Sequence, residues 1–250
     1  MKTFAFIFFS FLYFALNSRP IPHVRIASPF QMKKITFPSK DELLITADVY
    51  ESGNEKNPWI LLCHQAGFSR GEYTEAASVL KTKEFNCMAI DQRSGKSVNG
   101  VLNETAKRAK EKNLPTQYAD AEQDILAAID YLYDTYKGPV IIVGSSYSAS
   151  QALKIATGNK KISKVVAFSP GEYFEGTNIA GKIKGLKKPV FVTSSKAEAE
   201  NVKELVKGID SKKLTHFIPV HDGDHGSKVL WEKNQNYKEY WDALLKFLGK

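Results

Sequence analysis

The sequence predicts one α/β domain built on a mostly parallel sheet, with an antiparallel hairpin at its N-terminal side and helices on both faces. Three observations carry this. Short, almost wholly apolar runs recur along the chain: WILLC, CMAI, VIIV, KVVAF and PVFVT. Helix-compatible stretches alternate with them, which is the pattern of strands buried on both faces beneath crossover helices. Polar clusters then follow the runs: HQAG, DQRSG, GSSYS, SPGEY, SSKAE and, after FIPV, HDGDH. Parallel sheets bind ligands at the carboxyl ends of their strands, so clusters repeated at that one end read as the rim of a site.

The elements follow in order. Lys2 precedes an apolar run, Thr3 to Leu16, which ends at Asn17-Ser18 and Pro20. A positive start, an apolar middle and small or polar residues beyond it have the form of a signal peptide over 1–18. The run is shorter than the roughly 20 apolar residues of a spanning helix. Export to the periplasm or medium is the expectation, with no stable membrane span after removal of the segment; an uncleaved anchor is the alternative. Residues 19–30 are a Pro-rich, irregular lead-in to a single domain over 31–250. Lys33–Phe37 and Leu43–Tyr50 are extended runs joined by Ser39-Lys40-Asp41-Glu42, a hairpin. Trp59–Cys63 is a strand, Glu75–Lys83 a helix and Cys87–Ile90 a strand. Tyr118–Tyr136 is a long amphipathic helix with Ile125, Ala128, Ile129 and Leu132 along one face. Val140–Val143 is a strand and Ser148–Ala156 a helix; Lys164–Phe168 and Pro189–Thr193 are strands. Glu198–Lys207 is helical, Leu214–Val220 extended and Val229–Leu248 a closing helix.

Gly144-Ser145-Ser146-Tyr147-Ser148 sits at a strand-to-helix junction. A nucleophile elbow needs that context, with the nucleophile at a strained apex and small residues two before and two after it, where backbones crowd. Ser146 is at the apex, and Ser148 stands where G-x-S-x-G has its second glycine. Taken alone, the turn is equally well a helix cap. Partners decide: a serine hydroxyl needs a histidine base, itself oriented by a carboxylate, and elbow proteins present them in the order Ser, Asp/Glu, His. The acid belongs after PVFVT, where Glu198 is the candidate and Glu200 the near alternative. Glu198 is also placed to serve simply as a first-turn helix glutamate. The base belongs in the last loop, where His225, beside Gly226, is favoured over His221. An oxyanion needs preorganised N–H donors. Tyr147 N–H should be one, and the His64-Gln65-Ala66-Gly67 loop should supply the other, with the His64 side chain structural.

With these residues in view, the chain resembles the α/β-hydrolases of the dienelactone-hydrolase-like kind, from about Ile35 to the C-terminus. The resemblance rests on LLCHQAGFSRGEY, AIDQRSG, YADAEQDILAAIDYL, VIIVGSSYSAS, AFSPGEYF, PVFVTSSKAEAE and DHGSKVLW. It implies an α/β-hydrolase fold and a triad on Ser146, Glu198 and His225. It also places the second oxyanion donor at Ala66, with Gln65 where a glycine is usual. The chain departs from the family at Ser148, at Gln65 and in having Glu where Asp is commoner. Dienelactone hydrolases proper use a cysteine nucleophile, so their lactone substrate is not carried over. Many α/β-hydrolases insert a helical lid after the sixth strand; residues 169–188 hold only a loop and room for one short helix, which predicts an open site. Arg70, Glu72, Tyr73, Glu172, Tyr173 and Phe174 are candidates to line it, and the basic Ala106–Leu114 stretch to border it as a flap.

Other signals point to less. Lys+Arg 35 against Asp+Glu 27 gives +8, and removing residues 1–18 takes away only Lys2, leaving +7. The lysines are scattered and no arginine patch interleaves with aromatics, so a nucleic-acid partner is not expected. Cys63 and Cys87 end apolar runs and read as buried free thiols. HDGDH lacks a helical frame or a distant third ligand, so no metal is expected, and no cofactor is required. Ser94-Gly95-Lys96-Ser97 lacks the first glycine of a phosphate loop, and Asn103-Glu104-Thr105 matches a glycosylation acceptor. The expectation is a serine hydrolase acting on carboxylic esters, small or polymeric, through an acyl-enzyme. An amide hydrolase with the same triad and a non-catalytic exported binding protein are the alternatives. The sequence carries no signal of oligomeric state.

Overall fold

The computed structural model describes residues 32–250. The expected signal segment and lead-in lie outside them. In chain order the elements are β1 (Lys33–Pro38), β2 (Leu44–Tyr50), β3 (Trp59–Cys63), α1 (Thr74–Thr82), β4 (Asn86–Ile90), β5 (Ser97–Val98), β6 (Val101–Leu102), α2 (Glu104–Glu111) and α3 (Glu122–Tyr136). There follow β7 (Val140–Ser145), α4 (Tyr147–Gly158), β8 (Ile162–Phe168), α5 (Ile179–Ile183), β9 (Val190–Thr193), α6 (Ala199–Val206), β10 (Leu214–Phe217) and α7 (Tyr237–Leu248). Eight strands form one sheet in the order β1-β2-β4-β3-β7-β8-β9-β10. The β1/β2 hairpin is antiparallel, β2 also pairs antiparallel with β4, and every later pairing is parallel.

β3, β4 and β7 are buried along their whole length, which is why their sequences do not alternate polar and apolar. The period of two survives in where the side chains go. Trp59, Leu61 and Cys63 join the core under α3 to α6, whereas Ile60 and Leu62 join the core under α1 and α7. The carboxyl ends of β3, β7, β8 and β9 therefore open onto one rim between two helical layers.

Several boundaries differ from the sequence reading. The long helix begins at Glu122, because the Asp120 carboxylate accepts the Gln117 N–H and holds 117–120 as a turn. β10 stops at Phe217, where its only partner, β9, ends at Thr193, and Pro219 has no N–H to continue a ladder. The closing helix starts at Tyr237, not Val229. Ser227–Leu230 is a separate 3₁₀ turn, and Trp231 leaves it extended to give its indole N–H to the Glu72 carbonyl at 2.8 Å. The small β5/β6 hairpin was not read from the sequence, although its Asn99-Gly100 turn, both residues at positive φ, is the usual two-residue hairpin signal. Between β8 and β9 the five-residue α5 is the sole helix, so among the described residues no large lid covers the rim. Ala106 and Ala109 bury α2 against the molecule, and Thr105 Oγ1 accepts the Thr46 N–H of β2, so this segment is sheet cover and not a flap.

Candidate active site

β7 runs into α4 through Ser146, which has φ 58° and ψ −125°. A non-glycine residue is strained there, and such strain persists only where the surroundings over-determine it. They do so here. A Cβ on Gly144 would lie 2.3 Å from the Ser148 carbonyl oxygen, so no other residue fits that close crossing. Ser148 replaces the second elbow glycine with gain: its hydroxyl accepts the Ser145 N–H at 3.0 Å and lies 2.7 Å from the Cys63 carbonyl oxygen. One side chain thus ties the elbow to the end of β3.

Three residues from three loops meet. His225 Nε2 lies 2.8 Å from Ser146 Oγ, and His225 Nδ1 lies 2.5 Å from Glu198 Oε1. The other carboxylate oxygen accepts the hydroxyls of Ser169 and Ser195, each at 2.8 Å, and the Ser195 N–H at 3.2 Å. Burial pushes the Glu198 carboxyl up, but the His225 bond and these serine donors outweigh it and hold it down at about 2. The two oxygens of Glu198 are divided: one closes the capping box of the 196–198 turn, the other faces the imidazole. Glu200 lies apart from this cluster, 78% exposed and paired with Lys203. His221 is likewise on the surface, 77% exposed and 3.9 Å from Glu239. Ser169, itself in a left-handed conformation, donates to Glu198 and accepts the Gly226 N–H at 2.9 Å, so one hydroxyl links acid and histidine loop.

The loop after β3 folds as expected. His64 is fully buried; its Nδ1 lies 2.8 Å from the Gln65 carbonyl oxygen, and its Nε2 accepts the Gln92 N–H at 3.0 Å. Burial lowers its pKa to about 4, so it is neutral and structural. Gln65, in the usual glycine position, packs its side chain against Gly226, where a Cβ would lie 2.2 Å from the amide oxygen. The Ala66 N–H makes no hydrogen bond among the described residues. Tyr147 N–H is the first of α4 and has no intrahelical acceptor.

Of the candidate lining residues, Tyr173 and Glu172 border the open space beside Glu198. The Tyr173 ring covers Gly171, and its hydroxyl donates to the Ser169 carbonyl at 2.9 Å. A cavity of about 590 Å³ opens beside it, between the 170–173 loop, α6 and Glu198. Glu172 borders it while accepting the first N–H groups of α5; Arg70 instead pairs with Asp91 at 2.7 Å in a buried network, Tyr73 donates to the Cys63 carbonyl and Phe174 is buried. Cys63 and Cys87 are buried free thiols. Asn103 is also buried, its amide donating to the Gln92 carbonyl, so the Asn-Glu-Thr triplet holds no accessible acceptor. Glu72 turned out to be a buried junction under the rim; nothing in the local pattern RGEY separates it from a surface glutamate.

The chain matches no protein-family profile and no curated protein sequence. Solved structures do share its architecture. An esterase of Pyrococcus furiosus, Pf2001, superposes with a TM-score of 0.69 at 18% identity, covering 88% of this chain and 91% of its own. A dienelactone hydrolase from Anabaena variabilis gives 0.65 at 15% identity, over 88% of this chain and 97% of its own. An acylaminoacyl peptidase of Pyrococcus horikoshii gives 0.63 at 15% identity, over 89% of this chain and 42% of its own. The chain therefore has the α/β-hydrolase fold, of the form seen in dienelactone hydrolases.

Proposed function

On an α/β-hydrolase fold with this arrangement at its rim, we propose that the chain is a serine hydrolase that cleaves carboxylic esters. The observation that carries the reading is the continuous chain Ser146 Oγ, His225 Nε2, His225 Nδ1, Glu198 Oε1 at a strained elbow. In this reading Ser146 attacks the acyl carbon while His225 takes its proton; the N–H groups of Tyr147 and Ala66 receive the oxyanion. His225 then returns the proton to the leaving alcohol, the ester C–O bond breaks and an acyl-serine remains. Water, deprotonated by His225, attacks that acyl group; the acyl C–Oγ bond breaks, His225 returns the proton to Ser146 Oγ and the acid leaves. Glu198 keeps the Nδ1 proton in place throughout, so that Nε2 is free to accept.

The departures at Ser148 and Gln65, which motivated a non-catalytic reading, both have structural accommodation. Esters are proposed ahead of amides because His225 is 38% exposed and, among the described residues, no lid sequesters a poor leaving group. Export follows from the 1–18 pattern alone and is checked by N-terminal sequencing of protein recovered outside the cytoplasm. The deciding experiment treats the chain with a fluorophosphonate probe beside Ser146→Ala and His225→Ala, then compares matched ester and amide substrates. Labelling of the parent that vanishes in both folded variants supports the reading. An unlabelled folded parent, or a Ser146→Ala protein that still labels, overturns it.

A further inference from the structure

Glu72 lies in the 3₁₀ turn Arg70–Tyr73 and is completely buried. One carboxylate oxygen accepts the Gln65 N–H at 2.7 Å, and the other accepts the Ser227 hydroxyl at 2.6 Å. Its main-chain carbonyl takes the Trp231 indole N–H. No lysine, arginine or histidine forms an ion pair with it among the described residues. A buried carboxylate without a cation is expensive, and burial pushes its pKa up accordingly. Apolar packing would stabilise the same place more cheaply, so the cost calls for a use.

Position supplies the use. Gln65 directly precedes Ala66, the second oxyanion donor of the proposed function, and Ser227 lies two residues beyond His225. Ser145, next to the nucleophile, completes the junction by accepting the Ser227 N–H at 2.9 Å. The two loops come from distant parts of the chain, and the Glu72 carboxylate is an acceptor common to both.

We propose that Glu72 is a positioning residue that sets the oxyanion donor against the base by holding Gln65 and Ser227 on one rigid carboxylate. The inference rests on the serine-hydrolase reading. Its shape-conserving counterpart, Glu72→Gln, keeps an oxygen for the Gln65 N–H and an amide N–H for the Ser227 oxygen, so it preserves the bridge. Glu72→Ala and Ser227→Ala break it.

The test measures kcat and KM on a p-nitrophenyl ester per titrated active site, with the affinity of a trifluoromethyl ketone as a mimic of the tetrahedral adduct. Glu72→Ala and Ser227→Ala should lose about 10- to 100-fold in kcat, with KM within about threefold, as expected for reacting groups displaced by a fraction of an ångström to 1 Å. Ketone affinity should fall with kcat, and Glu72→Gln should recover most of both. Loss of fold alone would lower the number of titrated sites and leave kcat per site unchanged, which overturns the proposal. So does a Ser227→Ala enzyme within twofold of the parent in kcat; this one-oxygen deletion carries the test where Glu72→Ala does not fold. A parent unlabelled at Ser146 sinks the hydrolase reading itself; a labelled parent with unimpaired Ser227→Ala sinks this inference alone.

Discussion

Replacing Glu198 by glutamine changes one oxygen to an NH₂, and the geometry decides which one. Oε2 accepts three donors, the hydroxyls of Ser169 and Ser195 and the Ser195 N–H. A backbone N–H cannot reverse its role, so the amide oxygen must stay on that side and the NH₂ must face His225 Nδ1. An NH₂ only donates, which forces Nδ1 to accept and moves the imidazole proton to Nε2, 2.8 Å from Ser146 Oγ. The base then presents a proton where it must take one. A triad acid changed to its amide in a chymotrypsin-type enzyme loses roughly 10⁴-fold in kcat by this tautomer trap, and the same order, about 5 kcal/mol of barrier, is expected here. Glu198→Ala leaves the imidazole free to choose its tautomer and should be at least as active as Glu198→Gln, despite the larger deletion. Initial rates on a p-nitrophenyl ester, normalised to folded protein, give the comparison, and Glu200→Gln, at an exposed position of α6, should match the parent. Activity of Glu198→Gln within tenfold of the parent, or a comparable loss in Glu200→Gln, refutes the reasoning.

Two further outcomes are expected. Ser148→Ala leaves the buried Ser145 N–H without its acceptor and should lower unfolding free energy by about 1–3 kcal/mol in urea titration, against which unchanged stability would count. The Glu198 carboxyl sits at about 2 in the fold against an ordinary 4.5. A depressed folded value contributes stability that is fully present above 4.5 and is lost as pH falls toward 2. Thermal melts of the parent should therefore drop over that window more steeply than those of Glu198→Gln; parallel slopes would show that the carboxylate does not carry this linkage.

Local chemistry explains what could be read in advance. The elbow was legible because crowding leaves a signature of small residues within five positions, and the strands because burial on both faces excludes polar residues. The choice between Glu198 and Glu200 was not, since two carboxylates two apart differ only in which way the 196–198 turn and the start of α6 point them. The true start of α7 escaped the pattern because Trp231 is drawn out of a helical run by a carbonyl 159 residues earlier. Glu72 was invisible for the same reason: its meaning lies wholly in partners brought by the fold, one of them 155 residues away.

That long reach has a consequence for the order in which the molecule is made. On a ribosome, Ser146 emerges 79 residues before His225, and Glu72 155 residues before Ser227. The residues of β1 to β8 are all made before the last loop, so a nascent chain ending there lacks the proposed base. In the proposed function, hydrolytic competence would thus wait for the segment after β10, and a chain caught earlier in its synthesis would carry an inert serine.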